Sequence, residues 1–256
     1  MIRRGGLRWR ELLARERTPD ANHRLARLLA FVAGAVNAGG FLVIGVYTSH
    51  ATGVISAFAD QVVLGQWTLA LVGVAMVASF VAGAMCTAIL THWARRQGLA
   101  SVFALPVAIE ALLLAGFAAL GGELTAAETP LRALLPVTAL LLAFLMGLQN
   151  ALITAASGYN LRTTHMTGII TDLGIELGRL VYWNRSHDHA LDARVQADRE
   201  RLRQQGAVLG MFVLGGLLGA FGFKTLGFAC AAILALMLGA AAWPPLRADV
   251  LAWRRG

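Results

Sequence analysis

Charge is scarce in this chain. Only 14% of its 256 residues are Asp, Glu, Lys or Arg, 57% are apolar, and there is no long polar domain. With a mean hydropathy of +0.65, this balance argues against a soluble enzyme and for an integral membrane protein. Cysteine is nearly absent. Cys86 and Cys230 each lie inside an apolar run, which fits buried small side chains and gives neither a disulfide framework nor a metal-ligand spacing. Lysine is rarer still, so the net charge of +8 is carried by arginine, with Lys224 the single exception. A basic balance invites a nucleic-acid partner. The arginines, however, sit in tails and in loops between apolar runs, and no nucleic-acid partner is expected. Also missing are Gly-x-Ser-x-Gly, P-loop, Gly-x-Gly-x-x-Gly and His-Glu-x-x-His patterns, so neither an enzyme nor a bound cofactor or metal is expected.

What the chain does contain is length in its apolar runs. A bilayer-spanning helix needs roughly 20 apolar residues, and six windows qualify: Leu28–Tyr47, Thr68–Thr91, Leu99–Gly121, Ala133–Tyr159, Gly206–Phe223 and Thr225–Trp243. Trp67 and His92-Trp93 bracket the second, and Trp243 with Pro244-Pro245 is expected to close the sixth. Lys224 barely separates the fifth from the sixth, which predicts a tight hairpin. Small residues at helical spacing, Ala75, Ser79 and Gly83 in the second window and Gly206, Gly210, Gly215 and Gly219 in the fifth, predict close backbone packing.

Orientation follows from the connections. If the first segment is cytoplasmic, 20 of the 22 basic residues fall on the inside and only Arg132 and Lys224 outside. Both termini are therefore expected in the cytoplasm. Residues 1–22 read as a basic cytoplasmic tail, disordered or forming a short interfacial helix through Leu7, Trp9, Leu12 and Leu13, and carry no signal-peptide h-region. Residues 23–246 read as the six-span domain, with a charged cytoplasmic connector at 184–205, and 247–256 as a basic C-terminal tail.

One motif occurs twice. Thr48-Ser49-His50-Ala51-Thr52-Gly53-Val54-Ile55 and Thr163-Thr164-His165-Met166-Thr167-Gly168-Ile169-Ile170 are identical at five of eight positions, and each follows an apolar run containing Asn-Ala, at Asn37 and Asn150. The chain therefore reads as a duplicated unit, about 25–121 and about 131–243. Three spans per unit place the two copies on opposite sides of the membrane. The expected fold is an all-α integral membrane protein of two inverted three-helix repeats, the arrangement of secondary transporters with discontinuous helices near the midplane. Thr52 and Thr167 are expected helix N-caps with a glycine beside each. The stretches Tyr47–Trp67 and Met166–Trp183 are too polar for ordinary spans and are expected as half-helices that dip into the membrane or lie along its surface.

Candidate substrate contacts are Asn37, Thr48, His50, Thr52, Gly53, Gln149, Asn150, Thr163, His165, Thr167 and Gly168. Polar side chains of this kind also bond helix to helix at about 0.6–2 kcal/mol, and a capping or interface role for the histidines is the plainer one. Glu110 stands apart, with about ten apolar residues on either side, where an ionised carboxylate costs about 3 kcal/mol. It is expected to be protonated at rest or paired, with Arg132, Lys224 or a motif histidine. Asp172 and Glu176 share a helix face, and Arg179 follows Glu176 at ion-pair spacing. These three acids are the candidate proton-coupling groups.

The long runs Tyr47–Gly53, Gly147-Leu148-Gln149-Asn150-Ala151 and Arg162–Arg179 closely resemble the YoaK-like family of bacterial inner-membrane proteins, over about residues 25–245. That resemblance implies a multi-span, permease-like protein of the inner membrane, in a family with no established substrate or mechanism. Many members carry Asp where this chain has Asn37, and commonly an Asn where it has Val54, so roles needing those groups do not carry over. The expected function is a small secondary transporter for an unidentified solute, with proton coupling through Glu110 and homodimerisation as a further hypothesis. The alternative is a non-transporting scaffold, assembly or sensor protein in the bilayer.

Overall fold

The computed structural model describes residues 12–14, 18–45, 47–126, 135–156, 166–182 and 195–254. Within them every regular element is a helix: α1 Pro19–Ile44, α2 Ala51–Val63, α3 Trp67–Arg96, α4 Ala104–Ala126, α5 Leu135–Ala156, α6 Met166–Val181, α7 Arg199–Leu226 and α8 Ala229–Trp253. Six of these, α1, α3, α4, α5, α7 and α8, are long and apolar enough to cross a membrane. The remaining two, α2 and α6, are the short helices that begin at the two motif copies.

The first long helix starts earlier than hydropathy predicts. Thr18 Oγ1 accepts the amide of Ala21 at 3.2 Å, Pro19 opens the helix and Asp20 sits in its first turn, a combination that favours a helix start over the onset of an apolar run. It ends at Gly45, whose φ of +73° suits a glycine C-cap. The preceding segment is not wholly a tail. Leu12 and Leu13 are buried in the main core, and the Phe103 amide donates to the Leu13 carbonyl at 3.3 Å.

The last helix also overruns its expected end. Pro244 and Pro245 lie inside α8, which continues to Trp253. The extension is anchored by Asp249, whose carboxylate accepts the amides of Ala100 and Ser101 at 3.3 and 3.0 Å, just ahead of α4. A tertiary contact thus outweighs the proline break, and residues 247–253 belong to the helix. The expected hairpin between the fifth and sixth long helices is present, turning at Gly227 with φ +57°.

Packing is organised by pairs. The most extensive contacts join α1 to α7, α3 to α5 and α4 to α8, with α2 resting on α3 and α6 on α7. In the first two pairs the backbones nearly touch. A Cβ on Gly34 would overlap the Phe212 carbonyl of α7, and one on Gly215 would overlap the Phe31 carbonyl of α1. The other pair repeats this: Gly83 lies on the Phe144 carbonyl and Gly147 on that of Phe80. Each of the four helices contributes one Phe-x-x-Gly, at Phe31–Gly34, Phe80–Gly83, Phe144–Gly147 and Phe212–Gly215. Such close approach brings carbonyls against Cα–H groups and raises dispersion contact, which is what holds helices together where no hydrophobic effect acts between them.

Polar side chains reinforce the α3–α5 pair. Ser79 Oγ donates to the Leu140 carbonyl at 2.7 Å and Thr87 Oγ1 to the Leu148 carbonyl at 2.8 Å, both 61 residues away, so the two helices run parallel. The predicted packing of Ser79 and Gly83 is met. Of the predicted glycines in the fifth window, Gly215 and Gly219 are at the interface, but nothing lies within 4 Å of a Cβ on Gly206 or Gly210. Gly210 is exposed, on a side of α7 that meets no neighbouring helix.

Candidate functional site

In the middle of this apolar bundle sits one carboxylate. Glu110 has 0% exposure and is flanked on α4 by buried Val107, Ala111 and Leu114. Its Oε1 accepts a hydrogen bond from Gln149 Nε2 of α5 at 2.6 Å, and Gln149 is equally buried. The expected cationic or histidine partner is replaced by this amide; Lys224 is exposed at the end of α7, and Arg132 lies outside the described residues. The bond leaves two acceptors over. Glu110 Oε2 and Gln149 Oε1 have no hydrogen-bond partner, an arrangement that burial makes costly.

The first motif copy closes back on α1. Asn37 Oδ1, half-buried in α1, accepts from the amide and the hydroxyl of Ser49 at 3.3 and 2.8 Å. Asn37 therefore binds the motif backbone, and Ser49, which no spacing argument singled out, is its partner. Thr48 is buried against Gly40 of α1, with Oγ1 unmatched. The cap of α2 is His50, not Thr52: His50 Nδ1 accepts the Gly53 amide at 3.1 Å. An acceptor three residues ahead of that amide meets the same requirement as a Ser or Asn cap, and the imidazole stands over Gly53 where a Cβ would collide with it. Thr52 itself is exposed. Beside this turn is a cavity of about 360 Å³, lined among others by Tyr47, His50, Gly53, Gln61 and Gly73.

The second copy is described only from Met166 onward, so Thr163 and His165 lie outside the described residues. Thr167 and Gly168 fall in the first turn of α6, and the Thr167 carbonyl accepts the Thr171 hydroxyl. Thr167 is thus inside the helix and not its N-cap. Asn150 is half-buried on α5, and its carbonyl accepts Thr154 Oγ1 at 2.7 Å.

The acids of α6 tie it to the start of α7. Glu176, 1% exposed, pairs with Arg179 at 2.7 Å as its spacing predicts, and it also accepts the Asp198 amide at 2.9 Å. Asp172 takes Arg201 at 2.9 Å and Gln205 at 2.7 Å. Asp198 in turn caps α7 by accepting the amides of Glu200 and Arg201. The face that carries these acids is a clamp between two helices.

No metal-binding group of His, Cys, Asp and Glu occurs among the described residues. An alanine-rich groove of about 1300 Å³ opens between α4 and α8, near Ala111, Ala115, Gly239 and Trp243. Its walls are almost wholly apolar.

Residues 25–243 match the family described as "Protein of unknown function (DUF1275)". The chain belongs to that family. The match covers all six long helices except the outer ends of α1 and α8. No curated protein and no solved structure matches the chain. For this DUF1275 member, any functional conclusion therefore has to rest on the side chains themselves.

Proposed function

We propose that the chain is a small secondary transporter of the bacterial inner membrane, with both termini cytoplasmic and its two halves related as inverted repeats. The observation that carries this proposal is the Glu110–Gln149 pair: a carboxylate and an amide, fully buried between two membrane-length helices, each with an acceptor left over. An intramembrane acid is costly and marks ion or substrate pathways more often than it marks packing.

The packing pattern supports the repeat. Exchanging α1 with α5, α3 with α7 and α4 with α8 carries the α1–α7 pair onto α5–α3 and leaves α4–α8 as itself. The same exchange carries the α2–α3 contact onto α6–α7, and the Phe-x-x-Gly of each helix onto that of its counterpart. One contact departs from the pattern. The α4–α5 interface that holds Glu110 and Gln149 has no counterpart of similar extent between α8 and α1. Divergence of the halves at that point fits a working site better than a packing device.

The solute is a small one, entering beside the first motif turn, where the cavity lined by Tyr47, His50 and Gln61 offers both ring and amide groups. Coupling to protons runs through Glu110. Flux assays in proteoliposomes under an imposed pH gradient test this, comparing the parent with Glu110→Gln. Gradient-driven uptake of some solute class that the variant loses supports the proposal; a well-folded parent with no flux of any solute or of protons leaves a scaffold or sensor role in its place.

A further inference from the structure

The two atoms left without partners at the centre of the bundle are both acceptors. Gln149 has already committed its amide N–H to Glu110 Oε1, so its own Oε1 faces the same lack as Glu110 Oε2. A buried acceptor without a donor is costly. The pair is short of a single hydrogen.

We propose that Glu110 and Gln149 together form a proton-binding site, in which a proton on Glu110 Oε2 is donated to Gln149 Oε1 to close a doubly hydrogen-bonded acid–amide pair. The balance is simple: one proton from water adds to the carboxylate, one O–H bond forms, and nothing is oxidised or reduced. Its role as a coupling site rests on the transporter proposal above. The site itself rests only on the two side chains.

The surroundings favour a proton over a larger cation. A metal cation needs several oxygens around it, whereas Val107, Ala111, Leu114, Met146 and Ile153 beside the pair are apolar and buried. Neither the motif cavity nor the alanine-rich groove is lined by Glu110 or Gln149. Among the described residues there is also no counter-ion paired with Glu110. Helix α5 carries no titratable side chain, and α4 itself adds only Glu123. Gly121 of α4 lies against Phe228, just ahead of α8, and Ala111 against Gly239, which runs α4 and α8 antiparallel and sets Glu110 level with about Ala240. From there Arg247 is seven residues along, or about 10 Å; Cys230 is farther the other way, and Asp249 is held by two amides. The more distant α3 offers Cys86, His92, Arg95 and Arg96, the last three exposed at its end.

Infrared difference spectroscopy on the purified full chain in lipid nanodiscs tests the site without any transport assay. The parent at neutral pH should show the carbonyl band of a protonated, hydrogen-bonded carboxyl, moving on deuterium exchange. Glu110→Gln, whose amide–amide pair keeps both hydrogen bonds and so the fold, should lack it. Gln149→Met should shift it, since the donor to Oε1 is gone; if that variant does not fold, Gln149→Glu should instead double the band. Absence of any Glu110-dependent band overturns the proposal, as does a band indifferent to position 149. Loss of the band on adding sodium or ammonium chloride at fixed pH also overturns it, because the site would then hold a different cation. A band present in a protein without flux would retain the proton site and remove the transporter.

Discussion

Gly83 of α3 lies directly on the backbone carbonyl of Phe144 in α5, so closely that a single methyl group has no place between them. The neighbouring atom is backbone, which cannot swing aside as a side chain would. Gly83→Ala should therefore push the two helices apart and lose about 1–3 kcal/mol, the usual cost of overpacking, and the same holds for Gly34, Gly147 and Gly215. Gly210→Ala, with nothing within 4 Å of the added carbon, is the control. Thermal unfolding in mild detergent should separate the four from the control; equal melting temperatures would show that the close pairs carry no stability.

Glu176 should matter more than its neighbour Asp172. Both bind arginine, but Glu176 is buried and also satisfies the Asp198 amide, while Asp172 is partly exposed and holds Arg201 and Gln205. Glu176→Ala leaves a backbone N–H unmatched, and hydrogen bonds to a charged group contribute about 1.5–3 kcal/mol. Asp172→Ala removes a partly exposed pair that is worth less. Hydrogen exchange over residues 166–182 should rise several-fold more in the first variant than in the second. Equal exchange would mean that the clamp is held elsewhere.

The six long helices were legible in the sequence because hydropathy depends on neighbours in the chain, and Glu110 stood out for the same reason, as one charge in an apolar run. Its partner was not legible. Gln149 is 39 residues away on another helix, and only the packing of α4 on α5 selects it over Arg132 or Lys224. Local competition explains the other differences: His50 and Thr52 are both fit to cap, and the backbone turn at Ser49 decides for His50. Pro244-Pro245 reads as a stop until Asp249 is seen to hold the far end of α8. The Phe-x-x-Gly repeats were readable as a pattern, but their meaning lies in pairs of helices. Thr163 and His165 lie outside the described residues, and the second motif copy from Met166 onward forms the first turn of α6.

His50 should be replaceable by a residue that offers an acceptor at the same place. His50→Asn keeps a side-chain acceptor for the Gly53 amide, whereas His50→Ala removes it and should cost about 1 kcal/mol at the start of α2. Because α2 rests on α3 and borders the cavity near Gln61, fraying there should show as faster amide exchange at Ala51–Val54. Should the Ala variant exchange like the parent, the cap is dispensable. Should the Asn variant lose activity while keeping its cap, His50 has a second role that its hydrogen bond does not reveal.

The inverted arrangement makes the most demanding prediction, since it concerns two short helices that look alike in sequence. Counting arginines puts the turn after α1 outside and the start of α6 inside. Asp60 on α2 and Ile170 on α6 are both exposed, so a cysteine at either should be open to solvent or headgroups on its own side. In a background with Cys86 and Cys230 replaced by alanine, a membrane-impermeant maleimide added to intact spheroplasts should label Asp60→Cys and spare Ile170→Cys until the membrane is opened. Reagent sealed inside right-side-out vesicles should give the reverse. If both cysteines label from one side, the number of membrane crossings between them is even, the two halves run the same way, and the proposed inverted repeat is wrong whatever the role of Glu110.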